Sequence, residues 1–175
     1  MRLLQTLALI CTTILAARCG AVTEELPTYD ETSIIGVGDR APDFTATTLS
    51  GEEFTLSEHR GEVVLLILFS HTCPDCKALF DDVKSYGQEL ESLGIELIAV
   101  SRGGETKEVE AFATDNGYSF DIVADSTAEI YYKYAEMYVP RTYVIDGEGV
   151  VRYTTVEYGA THLRDIISEI ESLNE

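Results

Sequence analysis

Apolar runs and amphipathic segments alternate along most of the chain. Residues 63–69 and 95–100 are almost wholly apolar, which is typical of strands buried on both faces. Segments in which apolar side chains recur every three or four positions predict helices, at residues 76–94, 106–116 and 161–173. A further helix is predicted at residues 126–134, because Ser126 is a good N-cap and Glu129 stands at the capping-box position. Shorter strands are predicted beside turn signals, at residues 44–49, 53–56, 120–123, 141–145 and 150–155.

The order of these elements indicates the fold class. A hairpin comes first, because Ser50-Gly51 is a turn signal between its two strands. Strands and helices then alternate up to a second hairpin, whose turn lies at residues 146–149. Strands that alternate with helices form a sheet covered on both faces, with its first strands parallel. The sequence therefore predicts an α/β fold with a central mixed sheet, helices on both faces and an N-terminal β-hairpin extension.

The first 21 residues have the features of an export signal. Arg2 gives a positive start, and residues 3–17 form an apolar core that is short for a membrane span and typical of a signal peptide. Cys19 resembles the lipidated cysteine of bacterial lipoproteins, although Arg18 stands where their motif has a small residue. Ordinary cleavage after Ala21 is the alternative.

Three segments are expected from this boundary. They are a signal peptide of lipoprotein type at residues 1–19, a polar tether at residues 20–37 and a domain at residues 38–175. The whole chain has 175 residues, which suits one domain with a sizeable core. The expected location is the periplasm or cell envelope, with a lipid anchor in the membrane.

The chain is strongly acidic. It has 31 acidic and 12 basic residues, and its formal net charge is −19. Phosphate binding needs a basic face, so the charge excludes nucleic acid as a partner.

Two cysteines belong to the predicted domain. Cys11 lies in the predicted signal and Cys19 is lipidated or removed, which leaves Cys73 and Cys76 in the stretch SHTCPDCK. An exported protein meets an environment in which disulfides persist. A loop this short adds little stability as a staple, so a redox pair or a pair of metal ligands is favoured.

The pair lies where a buried strand gives way to a helix, and α/β folds place their chemistry at such points. Free backbone N–H groups and the helix dipole stabilise a thiolate on Cys73. Cys76, one turn further on, can attack a mixed disulfide at Cys73. Pro74 suits the first helical position because its missing N–H would have no helical partner. Asp75 disfavours the thiolate and hence favours a reductant, while Lys77 acts in the opposite direction.

Four sequence blocks occur in an order typical of one family. They are GDRAPDF at residues 38–44, GEEFTLS at 51–57, CPDC at 73–76 and VPRTYVID at 139–146. With these blocks, the chain from residue 36 to residue 173 resembles the TlpA/ResA-like branch of the thioredoxin superfamily. Members of that branch are exported thiol–disulfide oxidoreductases related to the peroxiredoxins of the AhpC/TSA type. The resemblance implies a thioredoxin-like fold and an enzyme that uses no cofactor or metal.

The resemblance also assigns roles to individual residues. It implies that Cys73 is the nucleophile, that Cys76 is the resolving thiol and that the two form a redox-active disulfide. It further implies that Pro140 is catalytic and that the peptide bond between Val139 and Pro140 is cis and faces the pair. A cis peptide bond has a low free-energy cost only before proline. The residues expected to contact the substrate are Val139, Thr72, Pro74 and Asp75. The implied partners are thiols or disulfides of extracytoplasmic proteins and a membrane electron donor.

The chain departs from the family pattern beside the motif. Thr72 replaces the usual Trp before the first cysteine. Leu79 and Asp81 replace the usual Glu and Pro after the second, and Ile67 occupies the place of the buried acid of thioredoxins. His71 is a candidate proton acceptor, because imidazole exchanges protons near neutral pH.

A peroxiredoxin-like peroxidase is one alternative. Its site would surround the cysteine with a Pro, a hydroxyl side chain and an Arg. Ser70 fits the hydroxyl position, but Leu66 stands in the place of the Pro, and Arg141 is one residue away from the place of the Arg.

A non-enzymatic copper-handling protein is the other alternative. Thiolates suit Cu(I), so Cys73, Cys76 and a His would be the ligands. Copper-assembly relatives have a longer cysteine spacing, and His162 falls in the last predicted helix.

Overall fold

The computed structural model describes residues 25–159 and 161–174. The predicted signal peptide, Cys19 and the first residues of the predicted tether lie outside the described residues.

A five-stranded mixed sheet forms the centre of the molecule. Its strands are β3 (Val64–Phe69), β4 (Glu96–Ser101), β5 (Asp121–Val123), β6 (Arg141–Ile145) and β7 (Val151–Val156). They lie in the order β5-β4-β3-β6-β7, with β3, β4 and β5 parallel and with β6 antiparallel to both of its neighbours. A separate antiparallel hairpin is formed by β1 (Thr45–Thr47) and β2 (Glu53–Thr55). The predicted fold class is therefore confirmed.

Both faces of the sheet are covered. The helices are α1 (Pro74–Ser85), α2 (Gly87–Ser92), α3 (Thr106–Asn116), α4 (Tyr131–Tyr134) and α5 (His162–Leu173), with a 3-10 helix at Leu56–His59. One core lies under α1, α2, α3 and α5, and the other lies under α4, the 3-10 helix and the hairpin. All six side chains of β3 are buried, alternately in the two cores, which explains its unbroken apolar sequence. This double burial fixes β3, and hence the residues that follow it, at the centre of the fold.

The predicted helix at residues 76–94 is interrupted. It consists of α1, which starts two residues earlier at Pro74, and α2, and Tyr86 separates them with φ −94° and ψ 11°. The Tyr86 N–H group makes the last bonds of α1, to the carbonyls of Asp82 and Lys84. Gly87 follows directly, and glycine within a helix costs about 1 kcal/mol relative to alanine.

The predicted helix at residues 126–134 is mostly a turn. Only Tyr131–Tyr134 is helical, and Ala128 has φ +59°, which a right-handed helix does not allow. The Asp125 carboxylate accepts hydrogen bonds from the backbone N–H groups of Glu129, Ile130 and Tyr131, at 3.0, 2.8 and 3.2 Å. A side chain that satisfies backbone donors in this way competes with helix formation.

Part of the segment predicted as a tether lies against the domain. Thr32 is buried, Ser33 forms a bridge with Ala135, and the Ile34 N–H donates to the carbonyl of Tyr134 at 3.0 Å. The packed unit therefore includes residues well before 38. The polar composition of the segment did not indicate this, because the hydroxyl groups of Thr32 and Ser33 bond to the buried Arg141, which lies far away in the sequence.

Across residues 25–159 and 161–174, no helix is both long enough and apolar enough to cross a membrane.

Candidate active site

The two cysteines lie at the carboxyl end of β3, the central strand. β3 ends at Phe69, and Cys73 is the N-cap residue of α1. This is the edge of the sheet at which the sequence predicted the chemistry. Both cysteines are free thiols.

Cys73 occupies the start of α1 and is partly exposed. Its sulfur accepts a hydrogen bond from the backbone N–H of Cys76 at 3.3 Å, as an N-cap oxygen does in other helices. Pro74 is at the first helical position, as predicted. The cap places the Cys73 sulfur at the N-terminus of α1, the end of a helix that favours negative charge.

Cys76 is fully buried on the inner face of α1. Burial raises the pKa of its thiol, and the hydrogen bond with Cys73 raises this pKa further. The backbone N–H of Ser70, 3.4 Å from the Cys76 sulfur, acts in the opposite direction. Burial therefore favours the protonated form of Cys76 and keeps its sulfur away from solvent.

The loop before β6 faces Cys73. The Cys73 sulfur lies 3.6 Å from the carbonyl oxygen of Val139, and the peptide bond between Val139 and Pro140 is cis, as predicted. Val139 is partly exposed and Pro140 is buried. Residues 66 positions apart in the sequence thus meet at one sulfur.

The other predicted contact residues surround Cys73 on its outer side. Thr72, Pro74 and Asp75 are all exposed. Lys77, the predicted counterweight to Asp75, instead forms an ion pair with Asp81 at 2.7 Å. Lys77 and a hydrogen bond from Tyr118 lower the pKa of Asp81. The charge of Lys77 is thus already partnered on the helix surface.

His71, the candidate proton acceptor, is held beside the motif. Its Nε2 lies 4.0 Å from the Glu108 carboxylate, and its Nδ1 is buried with no hydrogen-bond partner in the part of the chain that the structure describes. The ring packs against Gly104, where an added Cβ would come within 2.6 Å of the imidazole. A proton-accepting role for His71 stays a prediction.

Arg141, the residue next to the place of the peroxidase Arg, is bound to the N-terminal segment and to the loop before Pro140. It is 1% exposed, and its guanidinium donates to Met137 and to two hydroxyls of the N-terminal segment. Its side chain therefore joins the loop before Pro140 to the N-terminal segment. A charged residue at the start of a strand that is buried throughout was the signal in the sequence that this position is unusual.

Comparisons with known proteins show which family the chain belongs to. A family model described as the AhpC/TSA family matches residues 37–154. "Thiol-disulfide oxidoreductase ResA" of Geobacillus kaustophilus is 31% identical over 145 residues, which are 83% of this chain and 82% of that protein. The chain is a thiol–disulfide oxidoreductase of the AhpC/TSA family. This oxidoreductase is also 32% identical to "Thioredoxin-like protein YneN" of Bacillus subtilis, over 71% of its own length and 75% of that of the relative.

A solved structure extends the likeness to three dimensions. The solution structure of a putative protein disulfide isomerase from Bacteroides thetaiotaomicron has a TM-score of 0.77 and 29% sequence identity to the oxidoreductase. The match covers 82% of this chain and 94% of the other. The thioredoxin-like fold predicted from the four sequence blocks is confirmed.

Proposed function

We propose that this oxidoreductase is exported and that it reduces or exchanges disulfides of extracytoplasmic proteins, with Cys73 as the nucleophile and Cys76 as the resolving thiol. One observation carries the proposal. A partly exposed sulfur caps α1 and faces a backbone carbonyl of the 139–140 loop, while its partner cysteine is fully buried one turn away. Only the outer sulfur can meet a large substrate.

The reaction takes two exchange steps. The Cys73 thiolate attacks one sulfur of the substrate disulfide, so that a mixed disulfide forms and the other substrate sulfur leaves as a thiolate. The Cys76 thiolate then attacks the Cys73 sulfur, which forms the Cys73–Cys76 disulfide and releases the second substrate sulfur. Both substrate thiolates take up protons. The substrate gains two electrons, and a membrane electron donor returns the pair to its dithiol form.

The 139–140 loop supports substrate binding next to the sulfur. Backbone groups of Val139 can pair with an extended segment of the substrate, as an added strand does at a sheet edge. Thr72, Pro74 and Asp75 are exposed and adjacent to Cys73 in the sequence, so we assign them to substrate contact.

Export with a lipid anchor is the second part of the proposal. Its support is the N-terminal sequence, with Arg2, an apolar core and Cys19. We expect the mature protein to carry lipid on Cys19 and to fractionate with membranes. Mass spectrometry of the mature N-terminus provides the test, because a start at Val22 without lipid would show ordinary cleavage.

A protein-disulfide assay tests the proposed reaction against its alternatives. The oxidoreductase should reduce insulin with dithiothreitol as electron source, and it should turn over hydrogen peroxide far more slowly. Fast peroxide turnover with slow insulin reduction would overturn the proposal in favour of a peroxidase. The copper-handling alternative gains no support from the described part of the chain, where the convergent ligand group is His59, Glu62 and Glu96, without either cysteine.

A further inference from the structure

The buried charge of Arg141 has no carboxylate partner within ion-pair distance among residues 25–159 and 161–174. Its guanidinium instead donates three hydrogen bonds. They reach the carbonyl of Met137 at 2.8 Å, the hydroxyl of Ser33 at 2.7 Å and the hydroxyl of Thr32 at 2.8 Å. A buried charge without a counter-charge is costly, and it persists only where its hydrogen bonds are needed. All three acceptors belong either to the loop before Pro140 or to the N-terminal segment.

A second set of bonds joins the loop before Pro140 to the N-terminal segment and to α4. The Tyr138 hydroxyl donates to the carbonyl of Pro27 at 2.6 Å, and the Tyr131 hydroxyl donates to the carbonyl of Tyr138 at 2.8 Å. The Glu136 N–H donates to the carbonyl of Thr32 at 2.9 Å. The loop at residues 136–139 is thereby tied to α4 on one side and to residues 27–33, which we call the N-terminal strap, on the other.

Tyr138 has a backbone conformation that needs such support. Its φ is +67°, which lies in a region of backbone conformation that residues other than glycine rarely occupy. Residues in such conformations persist when the surrounding contacts determine them, and they cluster at functional sites. Here the ring of Tyr138 also meets the ring of Tyr29 edge to face, with centroids 5.0 Å apart.

The residue after Tyr138 is Val139, whose carbonyl oxygen lies 3.6 Å from the Cys73 sulfur. We propose that Arg141, Tyr131 and the N-terminal strap act together as a clamp that positions the Val139 backbone for the substrate segment. This inference rests on the proposed function, because it takes Val139 as a substrate contact. Arg141 and the strap are positioning residues, since they act through the loop and touch neither sulfur in the contacts described above.

The clamp predicts an effect on substrate binding rather than on the chemistry of Cys73. Substituting Tyr131→Phe, Tyr138→Phe or Ser33→Ala in the full chain removes one hydroxyl from the clamp. Each variant should raise the KM for insulin by about 2- to 10-fold, the loss expected for one hydrogen bond. The rate at which Cys73 reacts with iodoacetamide should stay within about twofold of the wild type, because the bond from the Cys76 N–H is untouched.

Tyr134→Phe is the matched control. Tyr134 is also a buried tyrosine, and its hydroxyl donates to the carbonyl of Pro42 at 2.6 Å, away from the loop. This variant should lose a similar amount of stability and keep the wild-type KM. A general loss of stability would raise the KM of the clamp variants and of Tyr134→Phe alike. An equal rise of KM in Tyr134→Phe would therefore overturn the clamp.

Hydrogen exchange separates this inference from the proposed function. In the clamp variants, the amide N–H of Glu136, which donates to the carbonyl of Thr32 in the strap, should exchange faster than in the wild type and in Tyr134→Phe. Unchanged exchange there overturns the clamp, whatever the activity. Faster exchange in a protein whose wild type does not reduce insulin would support the positioning of the loop and refute the proposed reaction.

Discussion

Replacing Cys73 with serine should abolish insulin reduction, and replacing Cys76 with serine should trap the protein on its substrates. Cys73 is the sulfur that is exposed at the start of α1, so its loss removes the nucleophile and should lower turnover by on the order of a thousandfold or more. In Cys76→Ser the first exchange step is intact, but no second sulfur releases the mixed disulfide. Non-reducing gels and mass spectrometry would detect substrate joined to Cys73.

The double variant Cys73→Ser/Cys76→Ser is the control, since it should trap nothing. The order of alkylation in the wild type gives an independent check. Cys73 should react with iodoacetamide before Cys76, because Cys76 is 0% exposed and burial raises its pKa. Faster alkylation of Cys76, or mixed disulfides in Cys73→Ser but not in Cys76→Ser, would reverse the assigned roles.

Release of the mixed disulfide should accelerate about tenfold for each pH unit between roughly pH 6 and pH 8. The physical reason is the thiol of Cys76, whose pKa is raised chiefly by burial. Below a raised pKa, the reactive thiolate is a small fraction that grows tenfold with each unit of pH. The measurement is a single turnover in which a mixed disulfide between Cys73 and thionitrobenzoate is prepared and release of the coloured thiol is followed at each pH.

A variant at Leu79 sharpens this test. Leu79 lies one turn after Cys76 on the same buried face of α1, where the ResA-like family usually has a Glu. Leu79→Glu should accelerate release at pH 7 and flatten the pH dependence, because a carboxylate could accept the Cys76 proton. Leu79→Gln, of the same shape without the charge, should do neither. A release rate that is independent of pH in the wild type would mean that a proton acceptor already serves Cys76, and His71 would then be the first residue to substitute.

The sequence predicted the elements that depend on local interactions or on a strong pattern of apolar residues. The unbroken apolar run of β3 follows from burial on both faces, and the place of Cys73 at the start of α1 follows from the strand, Pro74 and the helical spacing behind it. The turn at residues 126–130 was predicted as a helix because Ser126 and Glu129 have the pattern of a helix start. Instead, the carboxylate of Asp125 accepts hydrogen bonds from the N–H groups of Glu129, Ile130 and Tyr131, which holds the segment in a turn.

Contacts between distant segments could not be derived in this way. Arg141 bonds to Thr32 and Ser33 across more than 100 positions, and no periodicity or spacing encodes such a pairing. The polar residues near the N-terminus have the composition of a tether, and they pack through bonds to Arg141, Tyr138 and the backbone after α4, all of which are distant in the sequence. The contact between Val139 and Cys73 was predicted only from the resemblance to a known family, because nothing in the residues between them indicates it.

The reduction potential of the Cys73–Cys76 couple tests the central claim most directly. Purified protein would be equilibrated with glutathione redox buffers, and the dithiol fraction measured by alkylation and mass spectrometry. Asp75 adds negative charge at the start of α1, and Lys77 is paired with Asp81, so the thiolate gains little from nearby cations. The account predicts a reversible two-electron couple near the potential of thioredoxin, about −270 mV. A potential near that of a strong oxidant such as DsbA, about −120 mV, would contradict reduction as the function and indicate disulfide formation instead.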